Sequence, residues 1–260
     1  MRSVLVLIGL LAMQLFPSGE KAPVAEPAAT PSFASAAPTA HGREYYEARG
    51  EIIWEVPMAE KLIALTFDDG PDPEETPLIL DLLGRYQAKA TFFALGRKVD
   101  QYPELAAREV LEGHEIANHT FTHRYFNRPI TPQLLSSEIN RTNEAILRAT
   151  GRRPVLFRPP GGYYGQAVVD GAKLAGCKTV LWSWHQDTED WSRPGTEKII
   201  RKVLTNARGG DIILFHDHVE GKSQTIAALQ RILPELSKRG YRFVSVSELL
   251  RHKESTPAGR

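Results

Sequence analysis

From about residue 60 the chain alternates short apolar runs with longer stretches whose apolar residues recur at helical spacing. The runs are Leu62 to Phe67, Ala90 to Leu95, His114 to Ala117, Val155 to Arg158, Thr179 to Trp184, Ile212 to Phe215 and Arg242 to Val246, all of strand length. Between them, Thr76-Pro77 reads as an N-cap followed by proline at the first helical position, leading into Leu78, Ile79, Leu82 and Leu83. Thr131-Pro132 repeats the signal, with Leu135, Ile139, Ile146 and Ala149 on one face until Gly151 ends the helix. Pro103 opens a helix that closes at Gly113, Thr196 opens one that ends near Gly209-Gly210, and Ser223 to Lys238 forms another that Pro234 should kink or break. About seven such alternations predict an α/β fold with parallel strands, open or closed into a barrel.

The first forty residues follow a different pattern. Val4 to Phe16 is an apolar run of signal-peptide rather than membrane-spanning length, and Pro17 to Ala40 is rich in Ala, Pro, Ser and Thr. Such a segment buries no core and is expected to be a disordered tether. Cleavage near Ala34-Ser35-Ala36, cleavage nearer Pro17 to Ala22 and an uncleaved anchor are all open, and export is expected. No cysteine follows the apolar run, which excludes a lipoprotein.

Composition narrows the partners. The 260 residues, 42% of them hydrophobic, suffice for a proper core, and the net charge of +1 argues against a general electrostatic grip on nucleic acid or anionic lipid. The single cysteine, Cys177, lies in an apolar neighbourhood and is read as a small buried hydrophobe.

The polar residues at strand ends carry the chemistry. Asp68-Asp69 emerges directly from an apolar run and meets Gly70-Pro71, a turn signal. Alternation would point the two carboxylates to different sides, freeing them for different tasks. His119 and His123 stand four positions apart, and with one Asp they form a three-ligand set for a catalytic metal with an open position. Arg158, Asp187, Asp190 and His216 also fall at or just after predicted strand ends, the rim on which α/β barrels build active sites. Each has a plainer reading in isolation: Asp68-Asp69 or Asp187 and Asp190 as turn or helix caps, His216 as a core histidine. Their shared rim favours chemistry.

Thr66 to Gly70 (Thr-Phe-Asp-Asp-Gly), His119 to His123, Arg158 to Pro160 (Arg-Pro-Pro), Asp187 to Trp191 and Leu214 to His216 occur in that order and resemble the five motifs of the polysaccharide deacetylases, carbohydrate esterase family four, the NodB homology domain. The resemblance covers about residues 60 to 250. It implies a distorted (β/α) barrel of about seven parallel strands, a single catalytic domain that removes N-acetyl, or sometimes O-acetyl, groups from glycans. It makes Asp69, His119 and His123 the ligands of one divalent ion, zinc or cobalt, and Asp68 the catalytic base. Arg158 orients Asp68, His216 is the general acid oriented by Asp190, and Trp191 and Leu214 line the substrate groove. Family members usually carry Tyr after Arg-Pro-Pro, where this chain has Gly161-Gly162. Glycine still supplies the backbone N–H attributed to that site, and Tyr163 or Tyr164 are candidates for the missing aromatic wall.

The resulting expectation is a signal peptide or anchor over 1–18, a linker over 19–42 and the catalytic domain over 43–255. The protein is expected outside the cytoplasm, as a monomer, acting on peptidoglycan, chitooligosaccharide or a similar glycan. An O-acetyl esterase on xylan-type polysaccharide and a silent glycan-binding module on the same fold are the alternatives.

Overall fold

The computed structural model describes residues 41–255; the predicted signal segment and residues 19–40 of the linker lie outside them, while Arg43 already begins a helix. The elements run α1 (Arg43–Ala48), β1 (Ile52–Ile53), β2 (Leu62–Asp68), α2 (Glu75–Arg85), β3 (Ala90–Ala94), α3 (Gly96–Gln101), α4 (Pro103–Leu111), β4 (Glu115–Asn118), α5 (Pro132–Thr150), β5 (Leu156–Phe157), α6 (Gln166–Leu174), β6 (Lys178–Val180), α7 (Thr196–Asn206), β7 (Ile212–His216), α8 (Thr225–Lys238), β8 (Arg242–Phe243) and α9 (Val246–Ser255). Among the described residues the strands are all parallel, in the order β1-β6-β5-β4-β3-β2-β7, with β8 paired to the start of β2. The sheet curls into a distorted barrel. Beyond β6 the chain returns to β7, where the Ser183 N–H donates to the Ile212 carbonyl and Asp187 pairs with Leu214.

Alternation along the strands sorts their side chains into two layers. On β2, Ile63, Leu65 and Phe67 pack outward with Leu82, Leu83, Phe92, Phe215, Leu229 and Ile232. Leu62 and Ala64 face the other way, with Phe93, Ala117, Leu156, Val180 and Ile212. Continuing that inner row by twos gives Thr66 and Asp68 on β2, Leu214 and His216 on β7, and Arg158 just past β5. The barrel interior is therefore apolar below and polar at the C-terminal rim.

Two predicted local features differ. Thr76 does not cap α2. Its hydroxyl accepts from the Asp72 N–H and donates to Asp217, while the Asp72 carboxylate accepts from the N–H groups of Glu74 and Glu75 and does the capping. Pro234 does not break α8. Proline deprives the carbonyl four residues back of its partner, but Gln230 is exposed, and Leu229, Ile232, Leu233 and Leu236 bury the opposite face. Two strand ends also shift: β6 stops at Val180 before a turn over Trp184–Gln186, and Val246 opens α9. The Thr131 cap and the left-handed Gly151 stop of α5 are as read, and Cys177 is buried, its thiol pushed up by that burial.

Candidate active site

Asp68 is the last residue of β2 and exposes 3% of its surface. Its Oδ1 accepts from Arg158 Nη1 at 2.7 Å. Arg158 is fully buried, and its other contacts fix its plane: Nη1 to Thr66 Oγ1 at 2.8 Å, Nη2 to the Leu181 carbonyl at 2.9 Å, Nε to the Val180 carbonyl at 3.3 Å, and the Phe93 ring 4.0 Å from Cζ. A buried carboxylate needs such a partner.

The two neighbouring aspartates do not diverge as strand alternation predicts. Asp69 has left the strand at φ 77, and its carboxylate turns back into the same pocket. His119 Nε2 stands 3.7 Å from Asp68 Oδ2 and 3.5 Å from Asp69 Oδ1, and His123 Nε2 is 3.1 Å from Asp69 Oδ1. Thr120 and His123 also adopt positive φ, 70 and 60. Three non-glycine residues in this region mark backbone held in place by its surroundings.

Asp69, His119 and His123 each offer a ligand atom within 4.8 Å of the others. Asp69 Oδ1 is buried without a hydrogen-bond partner. His119 Nδ1 is 2.8 Å from the Arg158 carbonyl, so the proton sits there and Nε2 presents its lone pair to the pocket. Burial holds the His119 imidazole below its ordinary range, against the pull of both aspartates, which favours the neutral ligand form. Burial opposes ionisation of Asp69, but the surrounding imidazoles hold its carboxyl well below the usual range. One carboxylate oxygen and two imidazole nitrogens converging within that span fit a divalent ion. A second trio, Glu55, His185 and Asp211, is equally close, but Arg43 occupies Glu55 and His185 Nε2 already bonds Asp211 at 2.9 Å.

Across the pocket, β7 pairs with β2 so that His216 is the Cα partner of Asp68. Asp190, fully buried, binds His216 Nδ1 through Oδ1 at 2.7 Å and accepts the His216 N–H through Oδ2 at 2.9 Å. Oδ2 also accepts from Thr225 Oγ1 at 2.6 Å, and Oδ1 from the Trp191 N–H at 3.0 Å. Burial pulls the His216 pKa down, but Asp190, reinforced by Asp69 and Asp68, outweighs it and pushes the imidazole up to about 10. Asp190 therefore caps no helix. Asp187 accepts from the Glu189 N–H, and burial pushes its carboxyl up.

All ten residues expected at the site lie along this rim or the segments that follow it. Trp191 is half-buried and Leu214 buried at 3% exposure. Gly161 and Gly162 both stand at φ 68 after Pro160. Thr225 was not anticipated: it lies 35 residues from Asp190, in a helix start with no motif of its own. Tyr125, whose ring centroid is 5.0 Å from that of His123, was missed because nothing local marks it.

The model of the family described as polysaccharide deacetylase matches residues 55–180. A peptidoglycan-N-acetylglucosamine deacetylase of Bacillus cereus is 52% identical over 211 residues, 81% of this chain and 98% of that protein. A solved peptidoglycan N-acetylglucosamine deacetylase, in complex with a naphthalenyl N-oxidanyl-benzamide, superposes with a TM-score of 0.74 at 34% identity, covering 78% of this chain and 94% of that one. A family 4 acetyl xylan esterase from Clostridium thermocellum, in complex with cobalt, gives 0.69 at 34% identity, covering 75% and 93%.

Proposed function

The chain belongs to the polysaccharide deacetylase family, and from that premise we propose that it hydrolyses N-acetyl groups of a polysaccharide containing N-acetylglucosamine, with peptidoglycan the leading substrate and chitooligosaccharide next. The observation that carries this reading is the pairing of Asp68 with His216 on adjacent strands beside the Asp69, His119 and His123 trio. Residues 43–255 are the catalytic domain in this proposal. The preceding segment exports or tethers it outside the cytoplasm.

Asp69, His119 and His123 would hold the ion, zinc by the borderline character of one oxygen and two nitrogens, with cobalt also suited, and it would supply Lewis acidity toward the acyl oxygen and the attacking water. Asp68, held in place by Arg158, accepts the proton of the water as the water oxygen attacks the acetamide carbon. The Gly161 N–H donates to the oxyanion. Breaking the C–N bond requires a proton on the leaving nitrogen. His216 gives it from Nε2, because Asp190 holds Nδ1 and keeps the ring protonated. Trp191 and Leu214 border the glycan.

Acetate release from peptidoglycan, chitooligosaccharides and acetylxylan, each with and without chelator, tests the reading. Release from the N-acetyl substrates should vanish on chelation and return with zinc or cobalt. Undiminished turnover in a verified metal-free sample overturns it. The esterase among the structural relatives favours a second reading, O-deacetylation of a xylan-type glycan, which release from acetylxylan alone would select.

A further inference from the structure

Gly161 leaves room that two other rings occupy. A Cβ added there would stand 2.9 Å from Tyr163 Cε2 and 3.0 Å from both Cδ1 and Cε1 of Tyr125. Both rings thus rest on the glycine backbone so closely that a side chain at 161 would make the Tyr163 ring shift and the Tyr125 ring give way. At φ 68, any other residue would also be strained by its conformation. The glycine and the two tyrosines are one arrangement: what is missing at 161 is what lets the rings in.

The rings differ in their attachment. Tyr163 is half-buried and packs against the cluster that holds Phe126, Leu135, Ile139 and Phe157. Tyr125 is 51% exposed, meets Tyr163 at 88° with centroids 6.1 Å apart, and meets His123 at 78° and 5.0 Å. A core-anchored ring therefore backs an exposed one, which stands directly beside a residue of the metal-competent trio. An exposed tyrosine fixed by two edge contacts offers a rigid apolar face and has little rotamer freedom left to lose on binding. The apolar C–H face of a pyranose is the matching surface, since its weakly positive hydrogens meet the negative face of the ring.

We infer that Tyr125, backed by Tyr163 and admitted by Gly161, is a specificity-determining residue that holds the sugar ring beside the reacting acetamide. This rests on the deacetylase reading above. Tyr125 grips the glycan and takes no part in proton transfer, so its loss acts on KM rather than kcat.

The test measures kcat and KM for acetate release from tetra-N-acetylchitotetraose by the zinc-loaded enzyme. Tyr125→Ala should raise KM about tenfold, with kcat within about twofold and zinc content unchanged, and Tyr125→Phe should stay near the parent. Tyr163→Ala should raise KM in the same direction by removing the ring that backs Tyr125. Combined with Tyr125→Ala, it should add little further loss, a non-additive pair. A parent KM in Tyr125→Ala overturns the inference, as does strict additivity or a variant whose only defect is lost zinc. A parent enzyme that releases no acetate refutes the deacetylase reading instead. Calorimetric binding of the same tetramer to parent and Tyr125→Ala then decides the ring's role, and equal affinities reject it.

Discussion

Asp190 holds His216 at two points, the imidazole through one carboxylate oxygen and the backbone N–H through the other, at 2.7 and 2.9 Å. The residue that sets the charge of the ring thus also sets its position on the strand.

Asp190→Asn should separate these effects. The amide still accepts the N–H but no longer favours the imidazolium, so the His216 pKa falls from about 10 toward its ordinary value. A general acid is lost as pH rises through its pKa. The alkaline limb of kcat should therefore move to lower pH in the variant, with kcat down by about a hundredfold at neutral pH. A bound divalent ion offsets the Asp69 charge, so the parent limb lies below 10, yet above that of the variant. Coincident limbs in the two pH profiles would reject the pairing.

Asp68→Asn and Asp69→Asn should fail differently although the residues are neighbours. The first should keep its metal and lose about a hundredfold or more in rate. The second should lose metal affinity. Metal analysis of both variants alongside their rates decides it; equal metal loss contradicts two separate roles.

Arg158→Met should cost about 3–5 kcal/mol of stability, because it leaves a buried Asp68 without its partner and two strand-end carbonyls without donors. Arg158→Lys keeps the charge but not the fork, and should recover only part of the loss. Urea unfolding midpoints rank the three proteins, and a Lys variant equal to the parent contradicts the prediction.

His114 links stability to pH at a distance from the chemistry. Its Nδ1 accepts from the Ala90 N–H, and burial, with Lys89 and Arg108 nearby, pushes its pKa down to about 4. The unfolded chain therefore binds a proton that the native state refuses. Stability from this group is full above about pH 6.5 and is lost as pH falls toward 4, by up to about 3 kcal/mol. Unfolding at pH 7 and 4.5, with chelator throughout to exclude metal release, should show a smaller difference in His114→Gln.

Glu109 should act with the opposite sign. It is fully buried, neither carboxylate oxygen has a hydrogen-bond partner, and burial raises its pKa well above the usual range. The native state keeps this proton where the unfolded chain releases it, so stability is full below the unfolded value and falls as pH rises above it. Glu109→Gln should therefore gain stability relative to the parent as pH rises from 4 to 8, and the same unfolding series measures it.

The legible parts of the sequence are those whose cause is local. Leu62 to Phe67 and Ile212 to Phe215 read as strands because parallel strands buried on both faces are continuous apolar runs. Asp68, Asp69 and His216 read as functional because they end those runs. β1 is two residues long and carries no periodicity. Thr76 looks like a cap until Asp217, 141 residues on, takes its hydroxyl. The turn of Asp69 into the pocket depends on a positive φ that its letters do not reveal. Gly161 was legible as a departure, but its left-handed φ was not. Proline cannot adopt that φ, so Gly161→Pro would displace the backbone as well as remove the N–H, and does not isolate the oxyanion contact.

The pairing of Asp68 with His216 across β2 and β7 has a consequence for how such an enzyme can diversify. Their spacing is that of neighbouring strands, about 4.8 Å, a repeat of the backbone itself. Lengthening or replacing the segment that carries Tyr125 leaves that interval untouched. New glycans can be accommodated by exchanging rim segments, while the proposed proton acceptor and donor keep a ruler that is built into the sheet.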